Sequence, residues 1–391
     1  MPLDVERARA DTPGCRNVTH LNNAGASLPP RPVLEAVVEH LVLESEMGGY
    51  EAAAARDDEI ERAYDAIARL VGARREEIAL VENATRAWDM AFYALPLEHG
   101  DRILTATAEY ASNVIAFLQL ARRRGVEVEV VPDDDSGQLS VDALRDRLDG
   151  RVKLIAISHV PTHNGLVNPA AEVGKAAREA GVPFLLDACQ SVGQLQVDVG
   201  EIGCDLLSAT GRKFLRGPRG TGFLYASGPM LERLDPPFLD LHSASWTSRD
   251  RYTVRDDARR FESWESSIAG RIGLGVAVDY ALDLGLDAIE ERVGRLAADL
   301  RERLRAIRGV TVHDRGPRQS GIVTFSVRER EAADVAAALA AERINVSLSG
   351  PEAARYDFER RRIPELVRAS VHYYNTDEEL EALCRVVERL G

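Results

Sequence analysis

An apolar run, Val182-Pro-Phe-Leu-Leu186, ends in Asp187, and Gln190 and then Ser208-Ala-Thr-Gly-Arg-Lys213 follow it. One carboxylate thus stands at the C-terminal end of a buried-strand pattern, the edge at which open α/β sheets bind ligands. Lys213 comes with a hydroxyl (Thr210), a glycine and a guanidinium (Arg212). A lysine amine condenses with an aldehyde only when deprotonated, and a neighbouring cation such as Arg212 favours the neutral amine. An ionised aspartate opposite a pyridine nitrogen keeps that nitrogen protonated, so the ring can take up an electron pair. A threonine hydroxyl and a planar guanidinium fork suit phosphate. Lys213 is therefore the expected covalent anchor, Asp187 the ring-nitrogen partner, and Thr210 with Arg212 part of a phosphate cup. These are the parts that hold pyridoxal 5'-phosphate.

Other segments offer matching groups. Glu82-Asn-Ala-Thr-Arg86 lies between a strand and a helix pattern, so the amides of Ala84 and Thr85 would point from a helix N-terminus at an anion. The same residues also read as an ordinary cap by Asn83 or Thr85. Tyr110, in Ala108-Glu-Tyr-Ala-Ser-Asn113, is placed to stack on a planar ring, and by itself reads equally as a core tyrosine. His159-Val-Pro-Thr-His-Asn-Gly165 supplies Thr162, His163 and Asn164, and with Gln190 these reach toward the cofactor's phenolate oxygen.

The elements that must position these residues follow from periodicity. Strands are expected at Ile78–Val81, Arg102–Thr105, Glu127–Val131, Leu154–Ser158, Phe184–Leu186, Leu206–Ala209 and Gly222–Tyr225. Helices are expected around Thr85–Leu95, Ser112–Arg124, Val141–Leu148 and Pro169–Ala180. This alternation argues for a mainly parallel sheet covered by helices on both faces. The segment Asp235–Glu265, polar and without period, reads as a long excursion rather than core. Two long helices, Ile268–Leu284 and Ala288–Ile307, then lead into a smaller α/β region. Its expected strands are Gly309–His313, Gly321–Val327, Ile344–Leu348 and Val367–His372, with helices at Glu331–Glu342 and Asp377–Leu390. The expected division is a large cofactor-binding domain over 21–265 and a small domain from 1–20 and 266–391.

With 391 residues the chain can bury two cores. A balance of 49 basic against 63 acidic residues, without a basic cluster, argues against nucleic acid or an anionic membrane as partner. No apolar run approaches a membrane span and the charged start, Met1 to Asp11, is unlike a secretory signal, so a cytoplasmic location is expected. Cys15, Cys189, Cys204 and Cys384 have no spacing suited to a disulfide framework or zinc. No metal is expected, and Cys189 and Cys204 read as small hydrophobes.

From Leu21-Asn-Asn-Ala-Gly-Ala-Ser27 to Val367-Arg-Ala-Ser-Val-His-Tyr-Tyr-Asn375 the chain resembles a class V aminotransferase of the fold-type-I pyridoxal-phosphate superfamily. That group holds cysteine desulfurases, selenocysteine lyases, kynureninases, isopenicillin-N epimerases and hercynylcysteine sulfoxide lyases. The resemblance implies a mainly parallel seven-stranded sheet with helices on both faces plus a smaller C-terminal α/β domain. It implies that Lys213 forms the Schiff base, that Asp187 and Gln190 serve the ring nitrogen and phenolate oxygen, and that Tyr110 takes the ring-stacking position. Ala84, Thr85, Thr210 and Arg212 match phosphate-binding positions. Thr162 falls where many relatives carry asparagine, which leaves the role of Asn164 open. Arg368 matches the arginine that binds the substrate α-carboxylate, for which a structural ion pair is the other reading. Asn23, Ala24 and His163 are expected near substrate. Phe261-Glu-Ser-Trp-Glu-Ser-Ser267 matches a segment that reaches a neighbour's phosphate, which implies a homodimer. Further pocket candidates are Trp246, His242, Arg216, Arg219 and Tyr356.

Desulfurases carry a nucleophilic cysteine upstream of the carboxylate-binding arginine, yet Ser347-Leu-Ser-Gly-Pro-Glu-Ala-Ala-Arg-Tyr-Asp-Phe358 has none. No thiolate there can take up sulfur. The expected reaction is β-elimination from a cysteine-derived amino acid by a C–S lyase. Transamination or epimerisation is the alternative, and a pyridoxal-binding protein without catalysis a third reading.

Overall fold

The computed structural model describes residues 3–391. Seven strands form the main sheet: β1 (Ile78–Val81), β2 (Arg102–Ala106), β3 (Glu127–Val131), β4 (Val152–Ser158), β5 (Phe184–Asp187), β6 (Leu206–Thr210) and β7 (Gly222–Ala226). Their order is β1-β7-β6-β5-β4-β2-β3. Only β7 runs against its neighbours, pairing antiparallel with β1 and β6, while the remaining pairs are parallel. Every residue of β1, β2, β5, β6 and β7 is buried, as a sheet covered on both faces requires. Alternation of side chains assigns Phe184 and Leu186 to one layer, with Leu104 and Ile155, and Leu185 to the other, with Trp88, Phe92 and Phe117.

Register brings the ligand groups to one edge. Ser158 pairs with Asp187, Asp187 with Ser208, and Thr210 with Gly222, which also faces Val81. The C-terminal ends of β1, β4, β5 and β6 and the start of β7 therefore lie side by side.

Helices fill both faces. The ones used below are α1 (Arg31–Met47), α2 (Asp57–Val71), α3 (Ala84–Tyr93), α4 (Ala111–Arg124), α5 (Ala170–Ala180), α6 (Ile268–Leu284) and α7 (Leu286–Ala306). A second, antiparallel sheet holds β10 (Val310–Val312), β11 (Ile322–Val327), β12 (Ser347–Ser349) and β13 (Leu366–Ser370), in the order β10-β11-β13-β12. With α7, α8 (Ala332–Ala341) and α10 (Asp377–Glu388) it encloses its own core of Leu296, Leu300, Val323, Phe325, Leu339, Val367 and Leu383. Helix α6 serves both cores: Leu274 and Val278 pack under the main sheet, Tyr280 and Ala281 under the second.

Two sequence expectations are corrected. Asp235–Glu265 is not wholly an excursion. It forms an exposed hairpin, β8 (Ala244–Ser248) with β9 (Arg251–Val254), but Ala258 and Phe261 enter the core beside Trp88. Ile344–Leu348 is not one strand. Ile344–Asn345 pairs with Thr19–His20, and Ser347–Ser349 joins the second sheet, because the chain changes partner at Val346.

Candidate active site

Asp187 is buried at the end of β5, its Oδ1 accepting from the Cys189 amide at 2.9 Å and its Oδ2 from Asn113 Nδ2 at 3.0 Å. Lys213 is buried in the β6–β7 connection. Burial holds its amine below the ordinary lysine range, assisted by Arg212 and Arg368 and opposed by Cys189 and Asp187. The geometry therefore provides a lysine inclined to the neutral form beside a fixed carboxylate.

Gln190 and Thr162 are joined to Arg368. Gln190 Nε2 donates to the Ala24 carbonyl at 3.1 Å and reaches Thr162 Oγ1 at 3.5 Å. Arg368 donates through one terminal nitrogen to Thr162 Oγ1 at 2.7 Å and to its carbonyl at 3.1 Å, and through the other to Asn22 Oδ1 at 3.5 Å. Its partners among the described residues are all neutral, and burial pulls the guanidinium down to about 10. The Nε of Arg368 and the Oε1 of Gln190 are buried with no hydrogen-bond partner among the described residues. Orphaned groups of this kind call for a bound polar molecule, and a guanidinium without a carboxylate calls for an anion.

The phosphate positions gather at the β1–α3 and β6–β7 turns. Asn83 caps α3 by accepting from the Arg86 amide at 2.9 Å, which leaves the Ala84 and Thr85 amides at the helix start free for an anion. Gly222 makes this approach possible. A Cβ there would lie 2.6 Å from the Ala209 carbonyl oxygen and 3.0 Å from the Ala84 nitrogen. Thr210 Oγ1 donates to the Thr221 carbonyl at 3.3 Å, and Arg212 bonds the Gly25 carbonyl. Tyr110, the partly exposed residue before α4, lies near Arg368. The donor set and the orphaned Arg368 Nε fit pyridoxal phosphate with an amino-acid carboxylate beside it, and Gln190 would meet the phenolate oxygen through Nε2, since its Oε1 can only accept.

Several expected groups have other work. Asn23 is fully buried, its Nδ2 donating to Ser370 O at 2.7 Å and its Oδ1 accepting from the Tyr374 hydroxyl, so Asn22 is the side chain that meets Arg368. Ala24 contributes backbone, its amide donating to Ser370 Oγ at 2.8 Å. His163 is engaged through one ring nitrogen, while its Nδ1 is buried with no hydrogen-bond partner among the described residues. Its Nε2 lies 2.7 Å from Asp357 Oδ2 and its ring packs on Phe358. Asn164 likewise turns away, donating to Asp357 at 3.2 Å, which leaves Thr162 as the group beside Gln190. Arg216 is buried against Tyr373 and Tyr374 and donates to Thr12, Leu28 and Tyr373. His242 is 2.9 Å from Glu262, Trp246 is exposed on the β8–β9 hairpin and Arg219 is exposed on the surface. Tyr356 is half-buried. The sequence reading passed over Glu109, Asn113 and Ser158. The signal for them was a carboxylate in the short turn after a strand, four residues before an amide.

Cys189 sits next to these groups, but burial and Asp187 push its thiol up to about 12, so it stays protonated. No helix among the described residues is long and apolar enough to cross a membrane.

The chain is similar throughout its length to known proteins. A probable cysteine desulfurase of Methanothermobacter thermautotrophicus is 30% identical over 395 residues, covering 100% of this chain and 98% of that protein. One from Pyrococcus abyssi is 31% identical over 401 residues, with the same coverage. The apo cysteine desulfurase of Thermococcus onnurineus superposes with a TM-score of 0.93 at 29% identity, over 100% of this chain and 98% of that one. A cystine C–S lyase bound to cysteine persulfide shares the fold, with a TM-score of 0.87 at 24% identity over 96% and 99% of the two chains. The family model of the class-V aminotransferases matches residues 19–383, and the chain belongs to that family.

Proposed function

We propose that this protein is a pyridoxal-phosphate-dependent C–S lyase that cleaves a cysteine-derived amino acid by β-elimination. The observation that carries the choice is that α9 (Pro351–Arg361, kinked at Ala354) and the strand before it, the stretch that the resemblance matches to the desulfurases' nucleophilic cysteine, contain no thiol. The one cysteine beside the site, Cys189, is held protonated. Sulfur removed from substrate therefore leaves the protein instead of being stored on it.

Bound pyridoxal phosphate supplies an aldehyde that exchanges amines and a ring that withdraws the electron pair left at Cα. Asp187 would face its ring nitrogen, Gln190 and Thr162 its phenolate oxygen, and the α3 N-terminus with Thr210 and Arg212 would hold its phosphate. Arg368 grips the substrate carboxylate. Lys213, inclined to the neutral form, takes the Cα proton on Nζ. The electron pair then forms a double bond to Cβ, and the sulfur leaves as thiolate with the pair of the broken C–S bond.

Purified protein given cystine or S-substituted cysteines should yield pyruvate, formed with ammonia when water hydrolyses the released 2-aminoacrylate, and a thiol or persulfide in equal amounts, and Lys213→Ala should yield neither. Absence of both products from wild type, or an amino-donor-dependent keto acid in their place, would overturn the elimination reading.

A second copy of the chain covers α1 in this reading. Leu34, Val38, Leu41 and Val42 are half-exposed on one face of that helix, and Ile115 and Leu118 on α4 are also exposed. Light scattering at the mass of one chain would exclude the homodimer.

A further inference from the structure

Glu109 stands three residues after the end of β2 and is almost wholly buried, yet it lies outside every role assigned above. Five donors converge on its carboxylate. Oε1 accepts from Ser158 Oγ at 2.6 Å, the Tyr110 amide at 2.8 Å and Asn113 Nδ2 at 2.9 Å. Oε2 accepts from the Ser158 amide at 2.9 Å and Thr105 Oγ1 at 3.2 Å. These donors come from β2, β4 and α4. The amide nitrogen of Asn113 also donates to Asp187 Oδ2. An amide nitrogen has two hydrogens, so Asn113 gives one to each carboxylate and ties their positions together.

A carboxylate buried for fold alone would be better replaced by apolar packing, since its desolvation is costly. Here it stands one side chain behind the group that faces the cofactor's ring nitrogen, and it also fixes the backbone of Tyr110. We propose that Glu109 is a positioning residue for catalysis: through Asn113 it holds the Asp187 carboxylate against the ring nitrogen, and its own charge is a second negative centre behind Asp187. The proposal rests on the cofactor reading above.

The groups facing Glu109 are Thr105 from β2, Ser158 from β4, Asn113 and the Tyr110 amide from α4, Asp187 from β5 and the Tyr356 phenol from α9. Of the titratable ones, Asp187 opposes its ionisation and burial opposes it more, so the Glu109 carboxyl is pushed up to about 7 despite its donors. Protonation in that range loosens the tie through Asn113.

The test compares wild type with Glu109→Gln, loaded with pyridoxal phosphate, across pH 5.5 to 9. In wild type, the visible circular dichroism of the bound cofactor should show an inflexion near pH 7 that the variant lacks. The rate of Cα-hydrogen exchange into deuterated water, read on L-alanine, should fall at least about tenfold in kcat, the equivalent of one unit in ring-nitrogen proton affinity, with KM within about twofold. An unchanged inflexion together with unchanged kcat overturns the proposal. Absence of a visible band in wild type overturns the cofactor reading and this inference with it. Should Glu109→Gln fail to fold, Asn113→Ala, which leaves both carboxylates and cuts the tie, decides by the same kcat-against-KM split.

Discussion

His163 and Asp357, 194 residues apart in the chain, meet in a buried contact of 2.7 Å between Nε2 and Oδ2. His163 comes from the turn after β4 and Asp357 from α9, so the contact fastens that helix across the ligand edge of the main sheet. Arg361 and Asn164 also donate to Asp357 Oδ2, at 3.1 and 3.2 Å. Arg360 adds Asp133 at 3.1 Å and Thr107 at 3.1 Å.

The clasp predicts an acid-sensitive term. Burial alone would raise the Asp357 carboxyl, but His163 and Arg361 outweigh it and hold the group down to about 2, against an ordinary 3.8. A depressed carboxylate contributes stability that is present above its unfolded value and lost as pH falls through its folded one. The loss here runs from about pH 4 to 2 and amounts to about 2 kcal/mol. In Asp357→Asn, denaturant unfolding between pH 5 and 2.5 should be flatter with pH than in wild type, and stability at pH 7 lower by about 2–4 kcal/mol. Parallel pH curves for the two proteins would count against the clasp.

Arg368 predicts a separation of binding from cofactor retention. Arg368→Lys keeps the charge but loses the fork that holds a carboxylate at two points, so KM for the amino acid should rise about 10- to 100-fold. The visible band of the bound cofactor should persist. Loss of the band instead would mean that Arg368 supports the cofactor.

Gly222 predicts the reverse separation. In Gly222→Ala the added methyl meets the Ala209 carbonyl and the start of α3. Fluorescence titration should show weaker pyridoxal-phosphate binding, with stability down by about 1–3 kcal/mol. Unchanged affinity would show that the Ala84 and Thr85 amides do not bear on the phosphate.

The strands of the main sheet were legible because most are short apolar runs between turn residues and Glu127–Val131 alternates, and the structure shifts their ends by only a residue or two. Phe184–Leu186, for example, extends to Asp187. The convergence of Asp187, Gln190, Thr210 and Lys213 was legible for the same reason, since each follows a strand whose end the pattern located. What was hidden depends on contacts distant in sequence. Ala258 and Phe261 enter the core from a polar stretch whose average composition conceals two inward residues. His163 has the type and place of a substrate ligand, and only the fold brings Asp357 to its ring. Glu109 was passed over because a carboxylate after a strand is ordinarily solvated, whereas here β2, β4 and α4 close around it.

The reversed strand β7 has one more effect. Because it starts at the edge where β6 ends, the short connection from Gly211 to Thr221 carries Lys213 and leads directly into Gly222, the floor of the phosphate cup and first residue of β7. Lengthening that loop would move the amine relative to the phosphate, and shortening it would pull β7 out of register. Beyond Ala226 the chain first packs Met230, Leu231 and Leu234 into the core and only then leaves for its exposed hairpin. The spacing between amine and phosphate is thus set by the one connection from Gly211 to Thr221, which works as a built-in ruler.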